Sequence, residues 1–268
     1  MEESSLKDLF HLVKQILPEA QELVTFHSEK PVAEALELMR KYNLSQVPVM
    51  EGKVVLGIFS YRSFAEGMVR FSEVMPDPLS LAVEEFTEEL RFAQITDELE
   101  MLLDEFNLKD AVLIGSKAHL QGIITTIDAL RYFYKVASEF IMLREIELAI
   151  RELIRVSVDK KGLEECIQKS LKRHKEESKQ RVPMCLEEMT LHDYVMILRR
   201  HDTWDMFRDT FGIERRVVFA KLEKLPELRN TVFHFRRKIT IEEYEKLRRV
   251  RDWLFRRISK YEARRESV

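Results

Sequence analysis

The sequence predicts a two-domain protein, with an α/β N-terminal half followed by an all-α C-terminal half. Five of the seven glycines lie before residue 123, and turns between strands need glycine. That half also contains an internal repeat with a period of roughly 64 residues. From about Glu139 onward, apolar residues recur at helical spacing almost without interruption. The chain of 268 residues, 45% of them hydrophobic, can build two ordinary cores.

The internal repeat reads as strand, helix, strand, strand and helix in each copy. The first copy comprises residues 33–42, 43–49 and 54–60, and the second comprises residues 98–106, 107–114 and 120–125. A helix is predicted after each last strand. Because each half-sheet alone would leave an apolar face uncovered, we expect the two copies to pair.

The repeat resembles a tandem pair of CBS domains over about residues 21–138. The fingerprint is a glycine, two apolar strand residues, a serine or threonine, two variable residues and an aspartate. Residues 122–128 carry it completely, with Thr125 and Asp128, whereas residues 57–63 carry Ser60 and then Ser63 in place of the aspartate. The resemblance implies a regulatory adenine nucleotide (AMP, ADP or ATP), with one intact site and one altered site.

The residue chemistry at the second copy supports a ligand site. A strand that ends at Thr125 and turns into a helix near Asp128 places a hydroxyl and backbone N–H groups at a helix N-terminus, which suits phosphate. Asp128 can accept hydrogen bonds from ribose hydroxyls, and Arg131 can reach a phosphate. The alternative is that Asp128 only caps the helix. The other predicted ligand-contacting residues are Val47, Ser60, Ser63 and Ala111.

The second half is predicted to be a helical bundle, and we place the domain boundary between residues 138 and 139. The predicted helices cover residues 139–158, 161–180, 191–200 and 215–223, one that opens near Pro226, and one that starts at Ile241. Thr240 and Glu243 form a capping-box signature before the last helix. No parallel sheet fits this pattern.

A short motif in the second half carries the catalytic prediction. Arg229 and Asn230 are followed by His234, and this pattern resembles the signature of the HEPN superfamily. The resemblance covers about residues 139–258 and includes a Glu147/Arg151 pair, a Trp204/Phe207 segment and the helix start at 239–243. It implies metal-independent cleavage of RNA by a homodimer in which two motifs face each other.

The three motif residues suit this chemistry. Asn230 and His234 are four apart and would share a helix face. Cleavage without a metal needs a base for the 2′-OH, a charge to stabilise the phosphorane and an acid for the leaving 5′-oxygen. His234 can act as base or acid, and Arg229 is permanently charged. We therefore predict Arg229, Asn230 and His234 as catalytic, with no cofactor required for the reaction.

The histidines of the second half allow two other interpretations. His234 can instead pack between Phe233 and Phe235 as a core histidine, with Arg229 paired to a nearby glutamate. A metal site is not expected, because His192 and His201 are nine apart rather than the four apart of a helical zinc pair.

The charge is distributed unevenly. Residues 1–137 carry a net charge of −10 and the remainder +7, so the second half is the part expected to meet RNA. The basic residues that could follow an RNA backbone are Arg199, Arg200, Arg215, Arg216, Arg236, Arg237 and Lys238. The alternatives are solvated helix faces and an uneven spread of thermophile-like charge enrichment.

The location and the function follow as expectations. No apolar stretch is long enough to span a membrane, residues 1–14 contain acidic residues unlike a secretory signal, and only two cysteines occur. A cytoplasmic protein without a membrane partner is expected. The leading hypothesis is a nucleotide-regulated, metal-independent endoribonuclease. The alternatives are a non-catalytic nucleotide sensor or RNA-binding dimer, and a toxin-like partner of a nucleotidyl-transfer protein.

Overall fold

A computed structural model describes residues 11–17, 21–70 and 77–266. The chain forms two compact units, Met1–Tyr134 and Lys135–Val268. The first unit is α/β, and the described residues of the second contain helices and no strand. The prediction of an α/β half followed by a helical half is therefore confirmed. The units divide at residues 134/135, which lies inside one helix.

Each copy of the repeat contributes the same elements to the first unit. The first copy contains β1 (Phe26–His27), α1 (Val32–Tyr42), β2 (Gln46–Glu51), β3 (Val54–Ser60) and α2 (Tyr61–Arg70). The second contains β4 (Phe92–Ala93), a 3₁₀ turn (Leu99–Leu102), α3 (Leu103–Lys109), β5 (Ala111–Ser116), β6 (His119–Thr125) and the start of α4 (Thr126–Ser157). The predicted strand–helix–strand–strand–helix order is confirmed. Periodicity gave no bounds for the first strand of each copy, because β1 and β4 have only two residues each.

Both copies form a three-stranded sheet with one topology. The orders are β1-β2-β3 and β4-β5-β6, and in each sheet the first strand is parallel to the second, which is antiparallel to the third. The register pairs Gln46 with Ser60 in one sheet and Ala111 with Thr125 in the other. Equivalent residues of these strands are therefore 65 positions apart.

The segment before each copy pairs with the third strand of the other copy. The Gln21 side chain donates to the carbonyl of Ile123 at 3.0 Å and accepts from its N–H at 2.9 Å. The Glu88 backbone makes both equivalent hydrogen bonds to Ile58, each at 2.9 Å. Gly57 permits this approach, because a Cβ there would lie 2.2 Å from the Glu88 carbonyl oxygen. These reciprocal contacts tie the copies together.

Buried apolar side chains stabilise the first unit. Each copy has its own cluster, and α1 contributes Val32, Ala35 and Met39 at helical spacing. A third cluster joins the two sheets and contains Val55, Ile58, Leu90, Ala111 and Leu113. Since burial contributes about 25 cal/mol per Å² of apolar surface, the shared cluster accounts for the expected pairing of the copies.

The second unit is a bundle of helices. After α4 come α5 (Lys160–Ile167), a π-helical segment (Gln168–Lys172), α6 (Arg173–Glu177), α7 (Leu191–Arg199), α8 (Arg208–Phe211), α9 (Arg215–Leu222), α10 (Leu225–Phe233) and α11 (Ile241–Glu266). The helix predicted over residues 161–180 is thus interrupted by a π segment. The helix predicted over residues 139–158 is the latter part of α4.

The helix starts of the bundle carry side-chain caps. Thr240 and Glu243 form the predicted capping box of α11, with hydrogen bonds of 2.8 and 3.2 Å. Thr190 and Asp193 form an equivalent box at α7. These caps satisfy backbone N–H groups that have no partner within the helix. One core packs these helices except α6, which contributes no buried residue, and the fully buried members of the core include Ile146, Tyr194, Phe207, Phe211 and Leu247.

Two kinds of feature are absent from the described residues. None of the helices in residues 11–17, 21–70 and 77–266 is both long enough and apolar enough to cross a membrane. The same residues contain no group of three or more histidine, cysteine, aspartate or glutamate side chains arranged to hold a metal ion.

Candidate functional site

The predicted ligand residues of the second copy meet at the start of α4. The Thr125 hydroxyl and N–H both donate to Asp128 Oδ2, at 2.6 and 3.0 Å, and the Asp128 N–H donates to Thr125 Oγ1 at 3.3 Å. Asp128 therefore caps the helix, as the alternative interpretation held. Its Oδ1 makes no hydrogen bond within the described chain, and the residue is half-buried. One carboxylate oxygen thus remains available to a ligand.

The equivalent residues of the first copy, Ser60 and Ser63, are buried and hydrogen-bonded to each other. The N–H groups of Ser60 and Ser63 each donate to the other residue's hydroxyl at 2.9 Å, and Ser63 Oγ donates to the Ser60 carbonyl at 3.0 Å. Ser60 is 7% exposed and Ser63 2%. Ser63 thus replaces the aspartate as a cap but offers no charge, and its hydroxyl is already engaged on both sides. This helix start lacks an acceptor for ribose hydroxyls.

Val47 and Ala111 are both strand residues that were predicted to contact the ligand. Only Ala111 lies beside a fingerprint residue at the start of a helix. Ala111 pairs with Thr125 at the first position of β5. Val47 pairs with Phe59 and is fully buried in the core of the first copy. Gln46 is the equivalent of Ala111, because it pairs with Ser60 as Ala111 pairs with Thr125. The prediction for Val47 was therefore displaced by one residue, and the 65-residue spacing would have corrected it.

Charged side chains surround the start of β5. Arg62 lies 3.4 Å from Glu88 and 3.7 Å from Asp110, and it also donates to the carbonyl of Leu108. Lys109 pairs with Glu88 at 2.5 Å. Arg131 is exposed on α4. Arg62 had no predicted role, although its place directly before Ser63 in the altered fingerprint was a usable signal.

In the second unit, the predicted catalytic motif lies at the end of α10. Arg229 and Asn230 are half-buried in the helix. His234 is the C-cap residue, and its N–H still donates to the Asn230 carbonyl at 3.2 Å. Phe235 then adopts a φ of 51°, which ends the helix. Asn230 and His234 therefore share the last turn, but His234 lies beyond the regular helix, contrary to the expected helical position.

The core-histidine interpretation of His234 is wrong. His234 is exposed, and Phe235 is 81% exposed. Arg229 forms no ion pair with a described residue. Its guanidinium lies 4.7 Å from the centre of the Phe233 ring and donates to Asn230 Oδ1 at 3.3 Å. None of the three motif side chains is therefore fully buried, and Arg229 has no described carboxylate partner.

Arg229 and Asn230 line a cavity of about 270 Å³. Two histidines, His174 and His192, line the same cavity, and their ring centroids are 6.1 Å apart. Lys175 also lines it. The cavity is completed by Gln180, Thr190, Leu191 and Pro226. The structure thus brings imidazole, guanidinium and amide groups together at one place.

A second cavity of about 380 Å³ shares part of this lining. Asn230, His192 and Pro226 border both cavities, and Arg199 and Arg236 add positive charge to the second one. Glu223 and Glu227 add negative charge. The two cavities therefore lie next to each other at α10.

A buried ion pair fixes the wall of the first cavity. Lys175 lies 2.9 Å from Asp193, whose side chain is 1% exposed. Asp193 also accepts two hydrogen bonds from Thr190, both at 2.9 Å. Burial acts to raise the pKa of Asp193, but the hydrogen bonds from Thr190 and Lys175 outweigh it and hold the pKa below its usual value. Asp193 therefore stays charged and tethers α6 to α7.

The basic residues predicted to follow an RNA backbone differ in whether they are paired within the chain. Arg237 makes two hydrogen bonds of 2.7 Å to Glu243, and Arg200 pairs with Asp202 at 2.7 Å. Arg215 donates to a backbone carbonyl. Arg199 is exposed, but its guanidinium lies 5.5 Å from the centre of the Phe219 ring. The exposed members without a described ion pair or ring contact are Arg216, Arg236 and Lys238. Only part of the predicted RNA-tracking set is therefore open to a polyanion.

The predicted Glu147/Arg151 pair is present at 3.4 Å. Arg151 also donates to the Tyr194 hydroxyl at 2.6 Å, and that hydroxyl donates to the Leu186 carbonyl at 2.6 Å. Burial raises the pKa of Tyr194. This chain of hydrogen bonds satisfies a buried hydroxyl, so its evident role is structural.

A separate basic groove of about 550 Å³ surrounds Trp253. Lys221 lies 6.0 Å from the centre of a Trp253 ring. The acidic residues in the lining are Asp209 and Glu214. The other cationic lining residues are Arg208, Arg257, Lys260 and Arg264. Cations beside an aromatic ring are suited to nucleic acid.

Comparison with protein families identifies the first copy. The CBS domain family matches residues 13–70, so a CBS domain lies at the N-terminus. The match falls on the copy with Ser63, not on the copy whose fingerprint is complete. No curated protein matches the chain significantly.

Several solved structures resemble the N-terminal part. A CBS-domain-containing protein from Agrobacterium tumefaciens is 22% identical over 45% of this chain and 96% of its own, with a TM-score of 0.39. The CBS domain of a bacterial CNNM/CorC-family Mg²⁺ transporter in complex with ATP is 20% identical over 45% and 85%, with a TM-score of 0.37. A CBS-domain pair in complex with 5′-methylthioadenosine and S-adenosyl-L-methionine is 20% identical over 46% and 96%, with a TM-score of 0.39.

Proposed function

Because residues 13–70 form a CBS domain and a second copy repeats its topology, we propose that the first unit senses an adenine nucleotide. The ligand is AMP, ADP or ATP, and it binds at the start of α4. The free Oδ1 of Asp128 accepts from the ribose, beside the backbone of Ala111 and Thr125. Arg131 supplies positive charge for phosphate.

In this proposal the second unit cleaves RNA without a metal ion. The observation that carries it is the cavity at α10, where Arg229 and Asn230 stand beside histidines and Arg229 is unpaired with any described carboxylate. A guanidinium can stabilise the charge that develops on the phosphate, and a histidine can move protons near neutral pH. His234, which the motif nominates, is the first candidate for proton transfer.

The proposed assembly is a homodimer regulated by the nucleotide. A second copy would bring a second His234, so that one imidazole acts as base and the other as acid. A ligand can change the activity only if it binds two states of the dimer with different affinity. Native mass spectrometry of the purified protein tests this part, because it reports subunit number and retained ligand together. A monomer without ligand would contradict it.

The experiment for the catalytic part is cleavage of end-labelled RNA in the presence of EDTA. We expect product from the wild-type protein and at least about a hundredfold lower rate from Arg229→Ala, since removing one donor to a developing anion costs about 10²–10³ in rate. Arg248→Ala is the matched control, because Arg248 is an exposed arginine of α11 away from the cavities. An equal rate in all three proteins would remove Arg229 from the reaction.

A second candidate function is RNA binding without chemistry, favoured by the basic groove around Trp253. It predicts salt-dependent retention of intact RNA. The measurement is a filter-binding series at increasing salt with gel analysis of the recovered RNA. Retained RNA that stays full length would support this candidate over the nuclease.

A further inference from the structure

We infer that the groove around Trp253 anchors the single-stranded part of an RNA substrate. One face of α11 follows the phosphates, and the Trp253 indole receives an unstacked base. This inference rests on the proposal that the second unit acts on RNA. It adds the class of RNA and a set of residues that hold the strand outside the Arg229/His234 motif.

Three cations of the groove form a row on one face of α11, which we call the charged row. Arg257, Lys260 and Arg264 follow Trp253 at intervals of four, three and four residues, which is the spacing of one helix face. At a rise of about 1.5 Å per residue, the charged row extends over about 10 Å of the helix. It can therefore contact more than one phosphate of the same strand.

The charged row has no counter-ions within α11. No aspartate or glutamate stands three or four residues from Arg257, Lys260 or Arg264, and in the described part of the chain none of the three forms an ion pair. Lys260 instead has positive neighbours at both spacings, and like charges so placed destabilise a helix. Arg248 of the same helix, by contrast, pairs with Glu245. An anion bound along the charged row would offset this repulsion.

The helix dipole explains only the last of these cations. A positive charge near a helix C-terminus is stabilised by the last carbonyl groups, and this effect falls off within the last turn. Because α11 ends at Glu266, Arg264 lies in the last turn, whereas Lys260 and Arg257 lie six and nine residues before the end. Those two charges therefore have no partner in the helix itself.

Gly212 allows Arg257 to lie against the main chain. The φ of Gly212 is 126°, a conformation that residues with a side chain rarely adopt. A Cβ at this position would lie 2.5 Å from a terminal nitrogen of Arg257. Arg257 is half-buried, so its position is fixed by packing and not by a described carboxylate. Its N–H groups are therefore available to a phosphate.

The other charged residues of the lining leave the groove positive. Arg208 pairs with Asp205 at 3.4 Å, so it is not counted among the phosphate contacts. The charged row and Lys221 supply four cations, against the carboxylates of Asp209 and Glu214, which leaves a net charge of +2. The groove therefore favours a polyanion.

Trp253 supplies a ring on which no described neighbour is stacked. It is half-buried and lines the groove. The Phe211 ring is tilted by 43° with its centroid 6.5 Å away, and Lys221 lies 6.0 Å from the ring centre, at the outer limit of a cation–π contact. Because bases stack on aromatic side chains when they are not held in a duplex, the groove is suited to single-stranded RNA.

The groove and the motif lie on two sides of one short helix. In α9, Phe219 lines the cavity of about 380 Å³ that Asn230 also lines, whereas Val217 and Lys221 line the groove. Helix residues two apart point in nearly opposite directions. Since α9 has eight residues, it is about 12 Å long. A strand bound at the motif can therefore continue into the groove.

The first test is binding of a labelled, single-stranded 2′-O-methyl RNA, which cannot be cleaved through its 2′-oxygen. Fluorescence anisotropy with the full chain over a salt series gives the affinities. Replacing the three residues of the charged row with alanine should weaken binding about tenfold or more at low salt. It should also reduce the slope of log K against log salt by about 2, since three phosphate contacts are lost.

The matched control removes the same charge from exposed positions of α11 outside the groove. It is the triple variant Arg248→Ala, Arg256→Ala and Arg265→Ala, and its affinity should change by less than about threefold. Equal losses in the two triple variants would assign the effect to overall charge and overturn the inference.

The second test concerns the base. Trp253→Leu should weaken binding of the single strand about fivefold to a hundredfold, because stacking of one base on an aromatic ring contributes this much. Trp253→Phe should retain most of the affinity. Because Trp253 also packs against the core, tryptophan fluorescence of the unaltered protein is a second readout. RNA should quench it, since the other tryptophan, Trp204, is 7% exposed.

Two results of this second test would contradict a single-stranded ligand. One is equally tight binding of a duplex of the same sequence. The other is tryptophan fluorescence that stays constant while the anisotropy shows RNA to be bound.

Cleavage kinetics in EDTA distinguish failure of this inference from failure of the proposed nuclease. The charged-row variant should raise KM for a long single-stranded RNA about tenfold and leave kcat within about twofold. An unchanged KM with normal cleavage would overturn the inference and leave the nuclease intact. Absence of cleavage by the wild-type protein, with the binding results as expected, would overturn the nuclease and leave the groove as an RNA-binding site.

Discussion

The motif residues of the two units differ in how much of their hydrogen bonding stays inside the chain. At the starts of α2 and α4, the serine, threonine and aspartate side chains bond one another and cap a helix. At α10, Arg229 makes one long hydrogen bond and a ring contact. Polar groups that are hydrogen-bonded within the chain stabilise the fold. Only polar groups without a partner in the chain are available to a ligand. The comparison separates structural motif residues from functional ones.

The same distinction operates within the first unit. Ser63 and Asp128 occupy equivalent caps, but the serine hydroxyl is fully engaged and buried, whereas the aspartate keeps one oxygen. The two copies thus share a backbone while differing in the one chemical group that a ribose would contact. One ligand site is therefore expected, not two.

The largest expected effect is on the free energy of unfolding, and it concerns Asp193, whose carboxylate is bonded within the chain. Asp193→Ala should lower the free energy of unfolding by about 3–5 kcal/mol, because it leaves the largely buried Lys175 ammonium without its partner. Arg229→Ala should cost less than about 1 kcal/mol. Urea unfolding monitored by circular dichroism checks both. Equal losses would show that bonding inside the chain does not distinguish the two residues.

The next effect concerns the ligand. Asp128→Asn should weaken binding of AMP or ATP by about tenfold to a hundredfold, because hydrogen bonds to a charged group contribute about 1.5–3 kcal/mol. The asparagine can still cap the helix, so the fold should be retained. Isothermal titration calorimetry provides the affinities. Ser63→Ala is the paired variant, and a comparable loss of affinity there would place a ligand at the first copy after all.

A smaller effect is expected on the stability of the first copy. Ser63→Ala should cost about 1–2 kcal/mol, because the buried N–H of Ser60 loses its acceptor. Asp128→Asn should cost less, since its site is half-buried and the amide oxygen can replace the carboxylate. Thermal unfolding of both variants without ligand measures the difference. The reverse order would contradict the assignment of Ser63 as the structural member of the pair.

The smallest effect depends on pH. The hydrogen bond from Arg237, followed by that from the Thr240 backbone, lowers the pKa of Glu243 from 4.5 to about 2. Its contribution to stability is therefore complete above pH 4.5 and disappears as the pH falls through about 2. Glu243→Gln should cost about 0.5 kcal/mol at pH 7, as expected of an exposed pair.

Unfolding at pH 7 and at pH 2 checks this prediction. The difference between wild type and Glu243→Gln should shrink as the pH is lowered. A difference that stays constant would assign the effect to helix propensity and not to the Arg237–Glu243 pair.

Local features of the fold were predictable because they depend on neighbouring residues. The Thr240/Glu243 cap follows from a three-residue spacing, and the helix–strand order of the copies follows from periodicity. The bounds of the two-residue strands β1 and β4 were not predictable, since these strands form only through pairing with distant strands. The end of α10 before His234 was likewise missed, because it depends on the left-handed backbone of Phe235.

The candidate site was predictable only in part. Arg229 and Asn230 were found from a contiguous motif. His174 and His192 were not, because a tertiary ion pair between Lys175 and Asp193 brings them together. Val47 lies one residue away from Gln46, the equivalent of Ala111, and this offset has a simpler cause. An error of one residue in the register turns a strand side chain to the opposite face.

The most direct test of the account is the chemistry of the RNA ends after incubation of a mixed-sequence RNA with the protein in EDTA. Mass spectrometry of the products should find fragments ending in a 2′,3′-cyclic phosphate and fragments beginning with a 5′-hydroxyl, since the 2′-oxygen is the nucleophile. RNA that remains intact, or fragments that carry a 3′-hydroxyl and a 5′-phosphate, would contradict cleavage by the second unit through this reaction.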